Sequence, residues 1–114
     1  MSVNSTLVNQ KSIEAGYHLL KATAFSGIKL PKKVKFKASS LSKYWGMYIW
    51  PDNILIVNTR IRSVDFMLKV IAHEMIHSAW ETNAPCASDH ELHDGNFNAL
   101  ADVICHEMKW KGGV

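Results

Sequence analysis

The stretch VIAHEMIHSAW, residues 70–80, constrains this chain more than any other. Together with the VDFMLK that precedes it, it forms a long apolar run interrupted only by a few polar residues. On a helical period Phe66, Val70, His73 and His77 share one stripe, with Met67, Ile71 and Glu74 beside it. Ser63 offers an N-cap and Asp65 suits the first turn, so a helix is expected from residue 63 to about Trp80. Its glutamate lies on a face expected to be buried, a costly place for a carboxylate without compensation. The two flanking histidines supply a reason for it.

The remainder of the chain must form a core around that helix. At 114 residues it reads as one domain, residues 1–114, long enough to bury a core without disulfides. Cys86 and Cys105 form no C-x-x-C pair, which points to a reducing compartment. No apolar run approaches the ~20 residues of a membrane span. The opening MSVNSTLVNQKSIEAGYHLL lacks the basic and apolar regions of a secretory signal, so a cytoplasmic location is expected. Charge is distributed unevenly. Residues 27–62 carry eight basic side chains and one acid, Asp52, whereas residues 70–108 carry seven acids and no Lys or Arg.

Residues 6–25 read as a first helix, with Leu7, Ile13, Ala15, Tyr17, Leu20 and Ala24 on its apolar stripe and Gly27 as its stop. In LPKKVKFKASS, Val34 and Phe36 alternate with Lys33, Lys35 and Lys37, a strand with one apolar and one cationic face. YWGMYIW reads as a second strand, and the apolar ILIVN, residues 54–58, as a third and central one. The turn Pro51-Asp52-Asn53 joins these two as a hairpin. After the helix at 63–80 comes a loop over 81–88, broken by Pro85. A last helix covers about 90–109, with Ser88 and Glu91 as a capping box and Phe97, Leu100, Ala101, Ile104 and Met108 inward. The expected fold is α+β: an N-terminal helix, a small three-stranded sheet, then two helices carrying a zinc site, with helices against one face of the sheet.

The site follows from H-E-x-x-H spacing. Residues four apart on a helix stand one turn above each other, with β-carbons ~5–6 Å apart. His73 and His77 can therefore converge on one Zn2+. Glu74 would stand beside the metal, placed to take a proton from zinc-activated water. A catalytic zinc needs a third protein ligand and an open position. His93 ranks first because it lies one turn before the inward Phe97. His90 ranks second, and Cys86, Glu81 and Asp94 follow. His18 and His106 have no link to the site. The bland alternative is an amphipathic helix with two solvated histidines. The apolar flanks, the buried-type strand upstream and a third histidine on the next helix count against it.

With these residues placed, the chain resembles the SprT-like (Spartan-type) zinc metalloprotease domain. Gly46 matches that family's glycine in the second strand, and NILIVNTRI its strand ending in a small polar residue. MLKVIAHEMIHSAW resembles its active-site helix, and HDGNFNALADVI the block opening its last helix. The resemblance covers about residues 8–110. It implies a zincin fold, a gluzincin-like peptidase and His93 as third ligand, often in enzymes that cleave proteins bound or crosslinked to DNA. Asp94 stands where the family usually has glycine directly after that histidine, which keeps His90 open. The zinc-ribbon cysteines and long tails of other members are absent, a bare core that would suit a phage or bacterial genome.

Three functions compete. The first is a zinc-dependent endopeptidase acting on a protein substrate, with Glu74 as general base. Tyr44 and Tyr48 are candidates for stabilising the oxyanion. The second is a non-proteolytic zinc-containing module that binds nucleic acid. Lys33, Lys35, Lys37 and Lys43 would meet single-stranded or duplex DNA phosphates, while Trp45, with Tyr44 and Trp50 nearby, would stack on bases. The same lysines also read as guards of a sheet edge, and the same aromatics as core. The third is a zinc hydrolase of another bond, which usually carries a much closer third histidine.

Overall fold

The computed structural model describes residues 7–83 and 95–110. Within them the order is α1 (Gln10–Ala22), β1 (Lys35–Ser39), β2 (Gly46–Ile49), β3 (Ile54–Asn58), α2 (Val64–Asn83) and α3 (Gly95–Met108). This is an α+β arrangement of three helices and one mixed three-stranded sheet.

The first helix starts later than its apolar pattern suggests. Asn9 and Ser12 form a reciprocal cap: the Ser12 N–H donates to Asn9 Oδ1 at 3.0 Å, and the Asn9 N–H donates to Ser12 Oγ at 2.9 Å. That cap satisfies donors which otherwise have no helical partner, so the helix begins at Gln10. It ends at Ala22 with Thr23 as C-cap, well before Gly27. The Phe25 N–H returns to the Leu20 carbonyl at 2.9 Å, a turn that carries Ala24 and Phe25 into the core.

One expected core position of α1 is replaced by its neighbour. Ala15 is exposed, and Gly16 is buried instead. A β-carbon at Gly16 would lie 2.9 Å from Ile71 Cδ1 and 3.1 Å from Leu68 Cδ2. The missing side chain spares the tips of Ile71 and Leu68 a shift and eases the approach of α1 to α2.

The sheet order is β1-β3-β2, so ILIVN is central as its composition predicts. β2 and β3 form the antiparallel hairpin across residues 51–53, with Ile49 opposite Ile54 and Gly46 opposite Val57. β1 pairs with β3 in parallel, from Lys35 opposite Ile54 to Ser39 opposite Asn58. Alternation along strands then divides the sheet into two faces. Phe36, Ala38, Leu55, Val57, Gly46 and Tyr48 share the face that meets the helices, and Tyr17 of α1 lies 5.2 Å from Phe36, ring to ring. Lys35, Lys37, Met47, Ile49, Ile54 and Ile56 share the other.

α2 is the hub. It packs against α1, α3, β2 and β3. Its start matches the sequence, since Ser63 Oγ accepts the Phe66 N–H at 3.2 Å. Its end runs on to Asn83, three residues beyond the expected one. α3 packs against α2, with Ala101 and Ile104 buried and Met108 against the core. The side chains of Phe97 and Leu100, and the capping box at Ser88 and Glu91, lie outside the described residues. Among the described residues no helix is long and apolar enough to cross a membrane.

Candidate metal centre

Every residue from Val70 to Ala79 is buried except His73, which is partly exposed. A helix apolar on nearly all sides is enclosed on nearly all sides. His73 is therefore where this part of α2 reaches the surface, and His77 lies one turn deeper, 6% exposed. Their ring centroids are 5.1 Å apart at an interplanar angle of 70°. Two imidazoles on one tetrahedral zinc, each with a Zn–N bond of ~2.0–2.1 Å, would hold their centroids about 5 Å apart. The spacing of the pair matches that of two imidazoles on one zinc.

Glu74 is 7% exposed, on the turn between the two histidines. The start of β2 lies directly against it. A β-carbon added to Gly46 would stand 3.3 Å from Glu74 Cγ, 2.7 Å from Val70 Cγ1 and 3.2 Å from the Ile56 carbonyl oxygen. Only glycine lets the strand come this close. In the sequence Gly46 attracts notice only through resemblance. Here its role is physical: it forms the floor under the glutamate.

The third position is not decided among these residues. His93, His90, Cys86 and Asp94 lie outside the described residues, and so does the side chain of Glu81. Among the described residues no group of three or more His, Cys, Asp or Glu side chains could hold a metal. His18 is exposed and 3.7 Å from Glu14, and His106 is exposed on α3, so neither belongs to the pair.

The candidates for nucleic-acid contact divide into two sets. Lys33, Lys35 and Lys37 are exposed, and the last two project from the sheet face opposite the helices. Lys35 lies at the end of the sheet near Asn53, whose carbonyl accepts its N–H at 2.9 Å. Lys43 and Trp45 lie at the other end, where the Asn58 N–H donates to the Trp45 carbonyl at 2.9 Å. Tyr44, Trp45 and Trp50 are 41%, 50% and 40% exposed, which removes the reading of these aromatics as core. The Lys43 ammonium lies 5.9 Å from the Tyr44 ring centroid.

Of the two oxyanion candidates, Tyr48 is buried and its hydroxyl donates to Asn53 Oδ1, a bond that closes the hairpin turn. Tyr44 is on the surface.

Asn58, noted in the sequence only as the small polar end of its strand, has a role that sequence reasoning missed. It is 2% exposed, and its amide nitrogen donates to the Leu41 and Tyr44 carbonyls, both at 2.9 Å. Its Oδ1 accepts the Arg60 N–H at 3.0 Å. One side chain thus ties the β1–β2 connection to the β3–α2 connection. The signal was a polar residue closing an otherwise apolar strand.

The chain matches no family model, no curated protein and no solved structure.

Proposed function

We propose that this chain is a zinc-dependent endopeptidase of the SprT-like, zincin type, with His73 and His77 as two metal ligands and Glu74 as general base. The observation that carries the proposal is the imidazole pair at 5.1 Å on a buried helix, with a buried glutamate on the intervening turn. Two histidines on a solvated face would not need that enclosure.

The chain's own residues divide the work as follows. His73 and His77 hold the metal, and His93 is the proposed third ligand, with His90 behind it. Bound zinc would supply a Lewis acid that polarises the scissile carbonyl and acidifies water. Glu74 takes the proton from the attacking water as its oxygen bonds to the carbonyl carbon. It delivers that proton to the amide nitrogen as the C–N bond breaks. Gly46 keeps the strand backbone against the glutamate stem and limits where the carboxylate can stand.

The test is metal content with matched activity. One zinc per chain is expected, falling sharply in His77→Ala and in His93→Ala and less in His90→Ala. Glu74→Gln should retain zinc and fold and lose cleavage of an unfolded protein substrate by ~10²-fold or more. Assays with and without single-stranded DNA would show whether nucleic acid activates it. Zinc-free protein under metal-replete conditions would sink the proposal. The exposed Tyr44, Trp45 and Trp50 favour the second reading, a nucleic-acid module, if a zinc-loaded chain cuts nothing.

A further inference from the structure

Trp45 and Phe66 stand in edge-to-face contact, centroids 5.3 Å apart at 79°. They are 50% and 37% exposed. Large aromatics are usually drawn into the core, so two left in mutual contact at the surface form an apolar corner open to solvent. The corner has firm backing. The Trp45 carbonyl is held by the Asn58 N–H, the preceding Tyr44 carbonyl by the Asn58 amide, and the Phe66 N–H by Ser63 Oγ.

The corner is joined to the candidate metal centre along the chain. Trp45 is bonded directly to Gly46, the residue against Glu74. Phe66 shares the α2 stripe with Val70 and His73, seven residues before the histidine. Seven residues of helix cover about 10.5 Å along the axis. An extended peptide covers the same length in about three residues.

The segments that carry the corner are mainly cationic. Lys43, Arg60 and Arg62 are exposed on the two connections that Asn58 joins. In residues 40–45 and 59–66 the single acid is Asp65.

We infer that the Trp45–Phe66 corner is a subsite for a large apolar side chain of a peptide, about three residues from the bond at His73, with acidic residues beside it favoured by Lys43, Arg60 and Arg62. The inference rests on the peptidase reading for the bound peptide being a substrate, and not for its binding. Two features favour a peptide over nucleic acid here. Edge-to-face rings make a corner that fits a compact side chain, whereas base stacking uses an open ring face. A phosphate track would also need cations that continue beyond Lys43, Arg60 and Arg62, yet Lys35 lies at the far end of the sheet and points with Lys37 away from the helices.

The experiment is peptide binding, by fluorescence anisotropy, to the zinc-loaded chain carrying Glu74→Gln so that nothing turns over. The probes are labelled decapeptides with a central Leu flanked by Glu, the same with central Ala, the same Leu peptide flanked by Lys, and an oligothymidylate. The Leu–Glu peptide should bind about tenfold or more tightly than its Ala counterpart, the ratio expected for burying one large apolar side chain. Trp45→Ala and Phe66→Ala should each remove most of that ratio, while Trp45→Phe keeps part of it. Arg60→Gln with Arg62→Gln should narrow the preference for Glu over Lys flanks and leave the Leu:Ala ratio in place. Circular dichroism confirms that each variant is folded. Equal binding of Leu and Ala peptides overturns the subsite, as does a ratio kept in both Ala variants. Oligothymidylate binding that depends on Trp45, with no peptide preference, makes the corner a stacking platform instead. The Leu and Ala peptides are then incubated with the wild-type chain. A preference that stands while neither is cut overturns the peptidase reading alone; cleavage without preference overturns the subsite alone.

Discussion

Gly46 and Tyr17 show how single positions carry consequences out of proportion to their size. At Gly46 one methyl group would overlap Val70 Cγ1 at 2.7 Å and press on a carbonyl oxygen and the Glu74 stem. Gly46→Ala should therefore cost about 1–3 kcal/mol, as overpacking does. Urea unfolding measures it, and a change within ~0.5 kcal/mol, the range of neutral surface substitutions, would show that β2 can move aside. Tyr17 is 4% exposed, and its hydroxyl has no hydrogen-bond partner among the described residues. Burial pushes its phenol above the ordinary value of 10.0. The folded state then holds this proton at pH values where the unfolded chain releases it. The associated stability is present in full below about pH 10 and declines as pH rises toward the folded value. Tyr17→Phe should remove that alkaline decline. At neutral pH it should leave stability equal or higher, because a buried unsatisfied hydroxyl is deleted. Unfolding curves of both chains between pH 8 and 11 check each sign.

At the scale of elements, Asn58 does what no backbone ladder does here. β3 ends at this residue, and its side chain bonds both neighbouring connections. Asn58→Ala would strip the Leu41 and Tyr44 carbonyls of that donor. Both bonds are part-buried, so water can replace part of what is lost, and a cost of about 1–2 kcal/mol is expected. Amide exchange should then rise locally at residues 41–45, with β3 itself still protected. Unchanged exchange there would mean that the connection is held by other contacts. The helix starts obey the same logic on a smaller scale. Asn9→Ala should cost ~1 kcal/mol through the lost cap, readable as a lower Tm.

For the whole molecule the hub is α2, with two helices and two strands around it. If zinc also joins α2 to a residue beyond Asn83, metal binding and folding are coupled. Free zinc at one hundred times Kd would stabilise the fold by about 2.7 kcal/mol, which corresponds to several degrees in Tm. Chelation should lower Tm accordingly and have no effect in His73→Ala/His77→Ala. Identical melting with and without chelator would separate the fold from any metal. The lysines lie at the other extreme. Lys33, Lys35 and Lys37 are exposed, so changing all three to Gln should leave stability nearly unchanged.

What the sequence determined by itself was set by local period and local chemistry, although the ends of α1 and its Asn9–Ser12 cap escaped the apolar pattern. The apolar α2 with its Ser63 cap, the alternation of Phe36 with lysines, the hairpin at 51–53 and the central ILIVN are all legible because each is written within a few adjacent residues. So was the His73–Glu74–His77 face, since a helix alone aligns residues four apart. The tertiary structure decided what lies between distant segments. It paired β1 with β3 in parallel, brought Gly16 rather than Ala15 to α2, set Gly46 under Glu74 and left Trp45 with Phe66 at the surface. Apolar strands carry no label for their partners, and a glycine's value lies in the neighbour it admits. These relations exist only once the chain has closed on itself, which is why no window of sequence holds them.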